Sequence, residues 1–212
     1  MGNDEVQSTD VPTAHEVGDA VGIQSRKWLV ARVSHNTEKS SRDKLLKMGI
    51  EAFAATQRET HNWKGRRHEV EVVRISTYLF VHVNREERDR IINFPFIKSF
   101  MIDRTTTTAA GGMRSAVIIP DTEIQRMKYM LYHADSPVTF VEGTFSKGDY
   151  VRVCRGELQG IVGQLVKVGP GAKHFGVMIN GLGCAVVQLA PSELETISEH
   201  DYNLLSNSLL NS

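Results

Sequence analysis

The spacing of apolar residues in the first two thirds of the chain predicts short strands alternating with short helices. Runs rich in β-branched and aromatic residues are separated by polar segments. The predicted strands cover residues 28–33, 50–56, 69–72 and 75–83. The strand at 69–72 alternates with period two, which is typical of a half-buried strand. This pattern favours one antiparallel sheet with helices packed on its faces.

Three helices are predicted in the same region. Residues 41–48 carry an apolar helical face, and Gly49 follows as a stop signal. Asn84 with Glu87 three residues later is typical of a capping box, so a short helix is expected to begin there. Asp121 is a second candidate N-cap, and an amphipathic helix follows it. The apolar positions of this third helix are Ile124, Met127 and Leu131.

From residue 145 onwards the pattern changes to short strands that end at glycine, proline or asparagine, which predicts a small β-barrel. Its turn positions are Gly148, Asp149, Gly156, Gly160 and Gly163. The first two form a turn before a strand, the next two permit a tight reversal, and the last allows a close backbone approach. Their spacing is not the G-x-G-x-x-G of dinucleotide sites, and no helix follows, so phosphate cradling is not expected.

These segments predict an α+β fold in which an antiparallel sheet with flanking helices is linked to a small β-barrel. The predicted division is a disordered acidic tail at 1–26, a first domain at 27–132, a linker at 133–144, the barrel at 145–197 and a polar C-terminal tail at 198–212. The linker would allow the two domains either to pack together or to move independently.

Charge is segregated along the chain, although Lys+Arg and Asp+Glu number 25 each. Residues 1–25 carry a net −5, residues 27–102 carry +6, and residues 192–212 carry −4. A basic body between acidic ends favours a polyanionic partner. We expect the chain to be a monomer.

The sequence offers no recognisable catalytic chemistry, so an enzyme is not expected. The eight histidines show no H-x-x-x-H spacing, and neither C-x-x-C nor G-x-S-x-G is present. Cys154 and Cys184 lie in β-type runs, which favours inert thiols of a reducing compartment. No apolar run approaches the ~20 residues of a membrane span, and the N-terminus lacks a secretory pattern. We therefore expect a cytoplasmic protein without cofactor or metal.

A basic hairpin is the candidate binding site. Trp63-Lys64-Gly65-Arg66 predicts its tip, with Gly65 in the turn. Lysine and arginine neutralise phosphates and Trp63 can stack on an exposed base, so a nucleic-acid interface is one interpretation. The candidate residues are Arg58, His61, Trp63, Lys64, Arg66 and Arg67. The alternative is a solvated hairpin without a ligand, since charged runs usually face solvent.

Six short motifs in one order make the chain resemble the NusG family. They are W-L-V at 28–30, E-K at 38–39, G-I-E-A-F at 49–53, Y-L-F-V at 78–81, F-P-F-I at 94–97 and I-P-D-T-E at 119–123. The glycines of the predicted barrel, preceded by F-x-x-G-D-x-V-R-V, resemble the KOW motif of the same family. The resemblance covers residues 27–197 and implies an NGN domain followed by an SH3-like KOW barrel.

The resemblance also implies a function. Such proteins dock an apolar patch of the NGN domain onto the clamp of RNA polymerase and suppress pausing or termination. By position, Trp28, Ile75 and Tyr78 are the candidates for this patch. The alternative is that these side chains are packed in the core, as aromatic residues on strands usually are. In specialised members of the family, the hairpin region faces upstream DNA or the non-template strand.

Two departures from the family pattern point to a specialised member. Ser76-Thr77 stands where the family usually has Pro-Gly, and charge near Arg88 replaces an aromatic residue in the second helix. In both respects the chain is similar to the UpxY-type antiterminators of polysaccharide operons. A general housekeeping factor and a ribosomal or RNA-binding KOW protein are the alternatives, although near-zero net charge disfavours the latter. The partner of the barrel stays open between a ribosomal protein, Rho and a dedicated antagonist.

Overall fold

The structure is a computed structural model that describes residues 25–103, 115–143, 148–169 and 173–208. All but the last two residues of the predicted acidic tail lie outside this part of the chain. The described helices are α1 (Glu38–Lys47), α2 (Arg85–Ile91), α3 (Asp121–His133) and α4 (Glu199–Ser208). The described strands are β1 (Lys27–Arg32), β2 (Glu51–Phe53), β3 (Thr56–Trp63), β4 (Arg66–Val73), β5 (Tyr78–Val83), β6 (Ser99–Phe100), β7 (Ile118–Ile119), β8 (Thr139–Glu142), β9 (Tyr150–Val153), β10 (Val162–Lys167), β11 (Lys173–Ile179), β12 (Gly183–Val187) and β13 (Leu194–Thr196).

The first half is an antiparallel sheet with helices on both faces. The strand order is β2-β5-β1-β6, and β7 also pairs with β1. Because side chains alternate along a strand, β1 and β5 each contribute to two hydrophobic clusters. On one face Leu29 and Leu79 pack with Leu45 of α1. On the other face Val30 and Phe80 pack with the apolar residues of α3. The α+β prediction is confirmed.

The helix boundaries follow the predicted capping signals closely. The Asn84 side chain accepts a hydrogen bond from the backbone N–H of Glu87, and the Glu87 carboxylate accepts one from the N–H of Asn84, which confirms the capping box of α2. Gly49 follows α1 with φ +75°, as the predicted stop requires. The N-cap of α3 is Pro120 and not Asp121, which becomes the first helical residue. A carboxylate in the first turn is stabilised by the helix dipole.

The second half is a six-stranded antiparallel sheet in the order β13-β9-β10-β11-β12-β8. Among the described residues no ladder joins the end strands β13 and β8, so the pairings describe an open sheet. Strand β8 lies inside the interval 133–144 that the sequence predicts as a linker, and it pairs with β12. Its partly buried Phe140 packs against the main hydrophobic cluster, a tertiary contact that the local pattern does not show.

The C-terminal segment predicted as a polar tail contains α4. The Ser198 hydroxyl accepts a hydrogen bond from the backbone N–H of Asp201, which caps the start of the helix. Tyr202 of α4 packs against Tyr150 of β9, with 4.6 Å between ring centroids and 32° between the ring planes. The Tyr150 hydroxyl also donates a hydrogen bond to Glu199. These partners lie about fifty residues away in the chain, so the local pattern does not reveal them.

The two halves of the chain pack against each other, which decides a question that the sequence leaves open. One hydrophobic cluster runs from the first sheet through α3 into the second sheet. The Glu123 carboxylate of α3 accepts a 2.7 Å hydrogen bond from the backbone N–H of Asn180. The buried Gln57 amide donates to the carbonyls of Ala134 and Ser136, which ties the hairpin to the segment after α3. Polar contacts therefore fix the orientation of the apolar interface.

Thr77, where the family usually has glycine, has a left-handed backbone with φ +67°. A β-branched residue is strained in this conformation, and the strain is offset by a contact to a buried carboxylate. The Thr77 N–H donates a 2.7 Å hydrogen bond to Glu38, which is 1% exposed. Ser76-Thr77 therefore forms a turn with a left-handed residue at the cost of backbone strain.

Thr77→Gly is expected to raise the free energy of unfolding by about 1 kcal/mol, because glycine adopts a left-handed backbone without strain. Urea denaturation measures this change. Thr60→Gly, at an exposed strand position, is the matched control and should destabilise the protein, since glycine weakens a strand. A Thr77→Gly protein no more stable than the parent would show that the turn is not strained.

Glu123 lies at the contact between the two halves, and we expect it to make stability depend on pH. Burial raises the pKa of its carboxyl group, while the hydrogen bond from Asn180 and the charge of Arg126 oppose the increase. Because the folded-state pKa is raised, the protonated group favours folding, and this contribution is lost as pH rises through the folded-state value. We expect the stability of the parent relative to Glu123→Gln to fall as pH increases above ~4.5, the ordinary glutamate range. Urea denaturation at a series of pH values tests this, and a constant difference would contradict it.

Candidate nucleic-acid interface

The hairpin formed by β3 and β4 stands apart from both larger sheets. Eight residue pairs join the two strands, from Thr56 with Val73 to Trp63 with Arg66, and these strands pair only with each other among the described residues. Lys64 and Gly65 form the tip, with φ +51° and +76°. Two consecutive positive φ values are typical of a type I′ hairpin turn, so the predicted tip is confirmed. The predicted strand 69–72 is thus part of an exposed ribbon and not of the main sheet.

The strand register distributes the candidate residues over two faces of the hairpin, because directly paired side chains point to the same side. The first face, which we call the Trp63 face, carries Trp63 with Arg66 and His61 with His68. Trp63 is 73% exposed, far more than a packed tryptophan. An exposed aromatic ring beside a guanidinium suits stacking on a base next to a phosphate.

The second face, which we call the Arg58 face, carries Arg58 and Arg67. Arg67 pairs with Asn62, and Arg58 pairs with Glu71. Four positions separate Arg58 from Asn62 along β3, which corresponds to ~13 Å. The six candidate residues of the hairpin therefore do not form one patch: Lys64 lies at the tip, and the others are divided between two faces.

Ion pairs hold the base of the hairpin in place. Arg42 of α1 donates a 2.6 Å hydrogen bond to Glu71, and this guanidinium lowers the pKa of the carboxyl group. On the Trp63 face, the Arg74 guanidinium donates hydrogen bonds to the side chains of Gln57 and Glu59. Hydrogen bonding with His61, and to a lesser extent with Arg74, lowers the pKa of the Glu59 carboxyl group. The carboxylates of the base are thus neutralised by fixed cations, which leaves the cations near the tip available for a ligand.

A groove of about 490 Å³ lies between the Arg58 face, α1 and the end of α3. Arg42, Thr56 and Glu71 line its floor. Arg58, Glu69, Val70 and Tyr132 line its mouth. Sequence reasoning missed Tyr132, which is 64% exposed. The available signal was its position outside the apolar stripe of α3.

The three polymerase-patch candidates lie in the hydrophobic core. Trp28, Ile75 and Tyr78 are 2%, 3% and 7% exposed. Trp28 is enclosed between the stacked ring of His82 at 4.9 Å and the ammonium group of Lys128 at 4.6 Å. Burial lowers the pKa of Lys128. A docking patch made of the three candidate side chains is therefore not on the surface of this conformation, and their polymerase contact stays a prediction.

The predicted turn residues surround the start of the second sheet. Gly148 and Asp149 precede β9, and the Asp149 carbonyl accepts a hydrogen bond from the N–H of Leu165. Gly156 and Gly160 have φ +83° and +94° in the connection between β9 and β10. The remaining position, Gly163, lies in β10, where a Cβ would come within 2.7 Å of the ring of Phe175. These glycines shape the sheet and offer no ligand contact of their own.

The described residues include no cluster of three or more His, Cys, Asp or Glu side chains that could hold a metal ion. Cys184 is buried, and burial raises the pKa of its thiol to about 12, so this thiol is unreactive at neutral pH. Cys154 is half-buried. No helix in the described part of the chain is long and apolar enough to cross a membrane.

Comparison with known protein families gives a match for the first half of the chain, which carries the exposed basic hairpin. Residues 26–128 match the family model described as "NusG: Transcription termination factor nusG". This segment is therefore similar to the NusG family, and it contains the first sheet, the hairpin and most of α3. The family resemblance of the first half is confirmed. No curated protein sequence matches the chain.

Solved structures similar to the chain include one described as "Domain interaction in Thermotoga maritima NusG", at 21% identity and a TM-score of 0.38, covering 82% of this chain and 98% of that chain. The "MjSpt4:Spt5 complex" in conformation A is 13% identical with a TM-score of 0.23, covering 82% and 99%. Conformation B is 13% identical with a TM-score of 0.25, covering 81% and 97%. TM-scores this low do not show a shared arrangement of the whole chain, so the assignment rests on residues 26–128.

Proposed function

We propose that this chain is a transcription antitermination or elongation factor that binds RNA polymerase and suppresses pausing or termination. The observation that carries the proposal is the exposed basic hairpin on a NusG-family domain. The hairpin extends from the body of the protein and presents cations and an exposed tryptophan to solvent. Those groups suit a nucleic-acid strand that neutralises the cations and stacks on the ring.

In the proposed complex, the NusG-family domain binds the clamp of RNA polymerase and the hairpin contacts upstream DNA or the non-template strand. The protein adds no chemical step, acts as a monomer and needs no cofactor. It works in the cytoplasm by favouring one state of the polymerase, since a ligand that binds one of two states better shifts the population towards it.

The second sheet is proposed to be a KOW-type domain. The support is the glycine pattern together with the close approach of Gly163 to Phe175, which leaves no room for a larger residue. Its partner would be a ribosomal protein, Rho or a dedicated antagonist. A specialised role on long polysaccharide operons is supported by Ser76-Thr77, since Thr77 keeps the left-handed turn where the family usually has glycine.

The test is transcription in vitro on a long template with pause sites and a terminator, with and without the purified full chain. We expect pauses to shorten and read-through to increase. Binding to assembled elongation complexes is measured in parallel by pull-down on scaffold DNA. A protein that neither binds these complexes nor changes their products would contradict the proposal. Binding to ribosomal subunits instead would favour the alternative, a KOW-containing ribosomal or RNA-binding protein.

A further inference from the structure

We propose that the groove beside the Arg58 face holds one unpaired guanine of a single-stranded nucleic acid. This rests on the proposed nucleic-acid contact of the hairpin and adds a place where sequence is read. The groove is about 490 Å³, is open to solvent, and lies at the base of the hairpin. It is built from three separate elements, α1, the β3–β4 hairpin and α3, so its shape depends on the tertiary fold.

The polar side chains on the floor of the groove already form hydrogen bonds with one another. Glu71 accepts hydrogen bonds from the Arg42 guanidinium and from the Thr56 hydroxyl, each at 2.6 Å. Arg42 also donates to Asp43 at 2.9 Å. Lys39 donates to the Glu71 carbonyl. Because these groups already neutralise one another, a ligand would gain its polar contacts at the mouth.

The mouth combines three kinds of chemistry that suit a nucleobase. Tyr132, which is 64% exposed, offers an aromatic face for stacking, and Arg58 and Glu69 offer a cation and a carboxylate from the Arg58 face. The Arg58 and Glu69 side chains are exposed, and neither side chain makes a hydrogen bond or an ion pair within the described part of the chain. A site for phosphate alone would not include a carboxylate with no cation of its own, whereas a base needs both a stacking surface and an acceptor.

Guanine is the base that fits this carboxylate. Its Watson–Crick edge carries two adjacent donors, N1–H and the N2 amino group, which match the two oxygens of Glu69. Adenine and cytosine each place an acceptor next to the amino donor, which would face a carboxylate oxygen unfavourably. Thymine and uracil offer a single donor between two carbonyls. Every base can stack on Tyr132, so the selectivity for guanine comes from Glu69.

The Arg58 face provides a path for the strand. Arg67 lies on this face towards the tip, and Arg58 lies at the groove, so both guanidinium groups can contact phosphates on the same side. A strand that follows this path brings a base to Tyr132. Arg66 lies on the Trp63 face and serves as a matched control cation at the adjacent position.

The experiment titrates the full chain against short labelled oligothymidine in which one central nucleotide is dT, dG, dA or dC, and against the matching oligouridine series. We expect the guanine-containing strand to bind about tenfold more tightly, which corresponds to ~1.4 kcal/mol. Preference in the DNA series would indicate a displaced DNA strand, and preference in the RNA series would indicate the transcript. Either result supports the groove as the reading site.

Two variants assign the preference to the groove. Glu69→Gln should remove most of the tenfold preference. Tyr132→Ala should weaken binding of every strand, because any base in the groove loses its stacking surface, whereas Tyr132→Phe should bind as the parent does because the ring remains. Arg66→Ala should weaken all strands alike and leave the ratio unchanged. Equal binding of all four bases, unaffected by Tyr132→Ala, would overturn the groove proposal and leave the hairpin function standing. Failure to bind any strand would overturn both.

Discussion

Replacing Arg66 and Arg67 together with alanine is expected to lower the affinity for single-stranded nucleic acid by about 10- to 100-fold at low salt. A guanidinium that contacts a phosphate makes a charge-assisted hydrogen bond worth ~1.5–3 kcal/mol, and a strand on either face loses one such contact. The double substitution removes one cation from each face of the hairpin, so the result does not depend on which face the strand follows. Affinity is measured by titration at several salt concentrations.

Salt dependence gives this prediction a second readout. The slope of log affinity against log salt should become shallower by ~0.7 for each phosphate of a single strand that the protein no longer neutralises. Recruitment to elongation complexes in the pull-down should fall together with affinity. If the strand follows the Arg58 face to the groove, Arg67→Ala alone should cost more than Arg66→Ala alone.

The matched control removes the same charge from another exposed site. Arg85→Ala with Arg90→Ala strips two cations from α2, outside the hairpin, and should change affinity by less than about twofold. Both double variants should keep the free energy of unfolding within ~0.5 kcal/mol of the parent, since exposed surface substitutions rarely do more. Equal losses of affinity in the two variants would reduce the effect to net charge and contradict a specific hairpin interface.

Replacing Arg126 with alanine is expected to lower the free energy of unfolding by about 3 kcal/mol. Arg126 of α3 is only 5% exposed, and its guanidinium joins α3 to α4. It donates a 2.6 Å hydrogen bond to the Tyr202 hydroxyl and a 3.4 Å bond to Ser206, and it lies 5.4 Å from the centre of the Tyr202 ring. The substitution leaves a cavity and deprives both hydroxyl groups of their donor.

Two further variants separate the contributions to this interaction. Tyr202→Phe keeps the ring and its packing against Tyr150 but removes the hydroxyl acceptor, so we expect a loss of ~1 kcal/mol. Arg152→Ala removes an arginine whose ion pair with Glu195 is solvent-exposed, and it should cost less than ~1 kcal/mol. Urea denaturation measures all three proteins. An Arg126→Ala loss no larger than that of Arg152→Ala would show that α4 does not stabilise the packing of the two halves.

Local signals in the sequence predicted the local structure well. The capping box of Asn84 and Glu87 starts α2, and Gly49 follows the end of α1, because each depends on hydrogen bonds or backbone angles within a few residues. The hairpin tip follows from Lys64-Gly65 for the same reason. Ordered motifs also predicted the resemblance of the first half of the chain to the NusG family, which the match over residues 26–128 confirms.

Tertiary packing decided what the local pattern could not. The polar segment after residue 198 becomes α4 because Tyr150 and Arg126 provide a surface for it. The interval after α3 contains a strand because β12 offers an unpaired edge. Tyr132 reaches the hairpin groove only through the position of α3. Each of these interactions joins residues far apart in the chain, and no periodicity within a short window records them.

The sequence by itself determined the α+β class, the resemblance of the first half to the NusG family, the cap of α2, the stop after α1 and the hairpin turn. These features depend on backbone conformation and on the alternation of side chains within one element. Only the tertiary structure decided that Trp28 is buried, that the hairpin cations occupy two faces, and that the two halves form one packed core. Whether a side chain is buried, and to which side it points, depends on which helices and strands pack together. Both are therefore properties of the assembled fold.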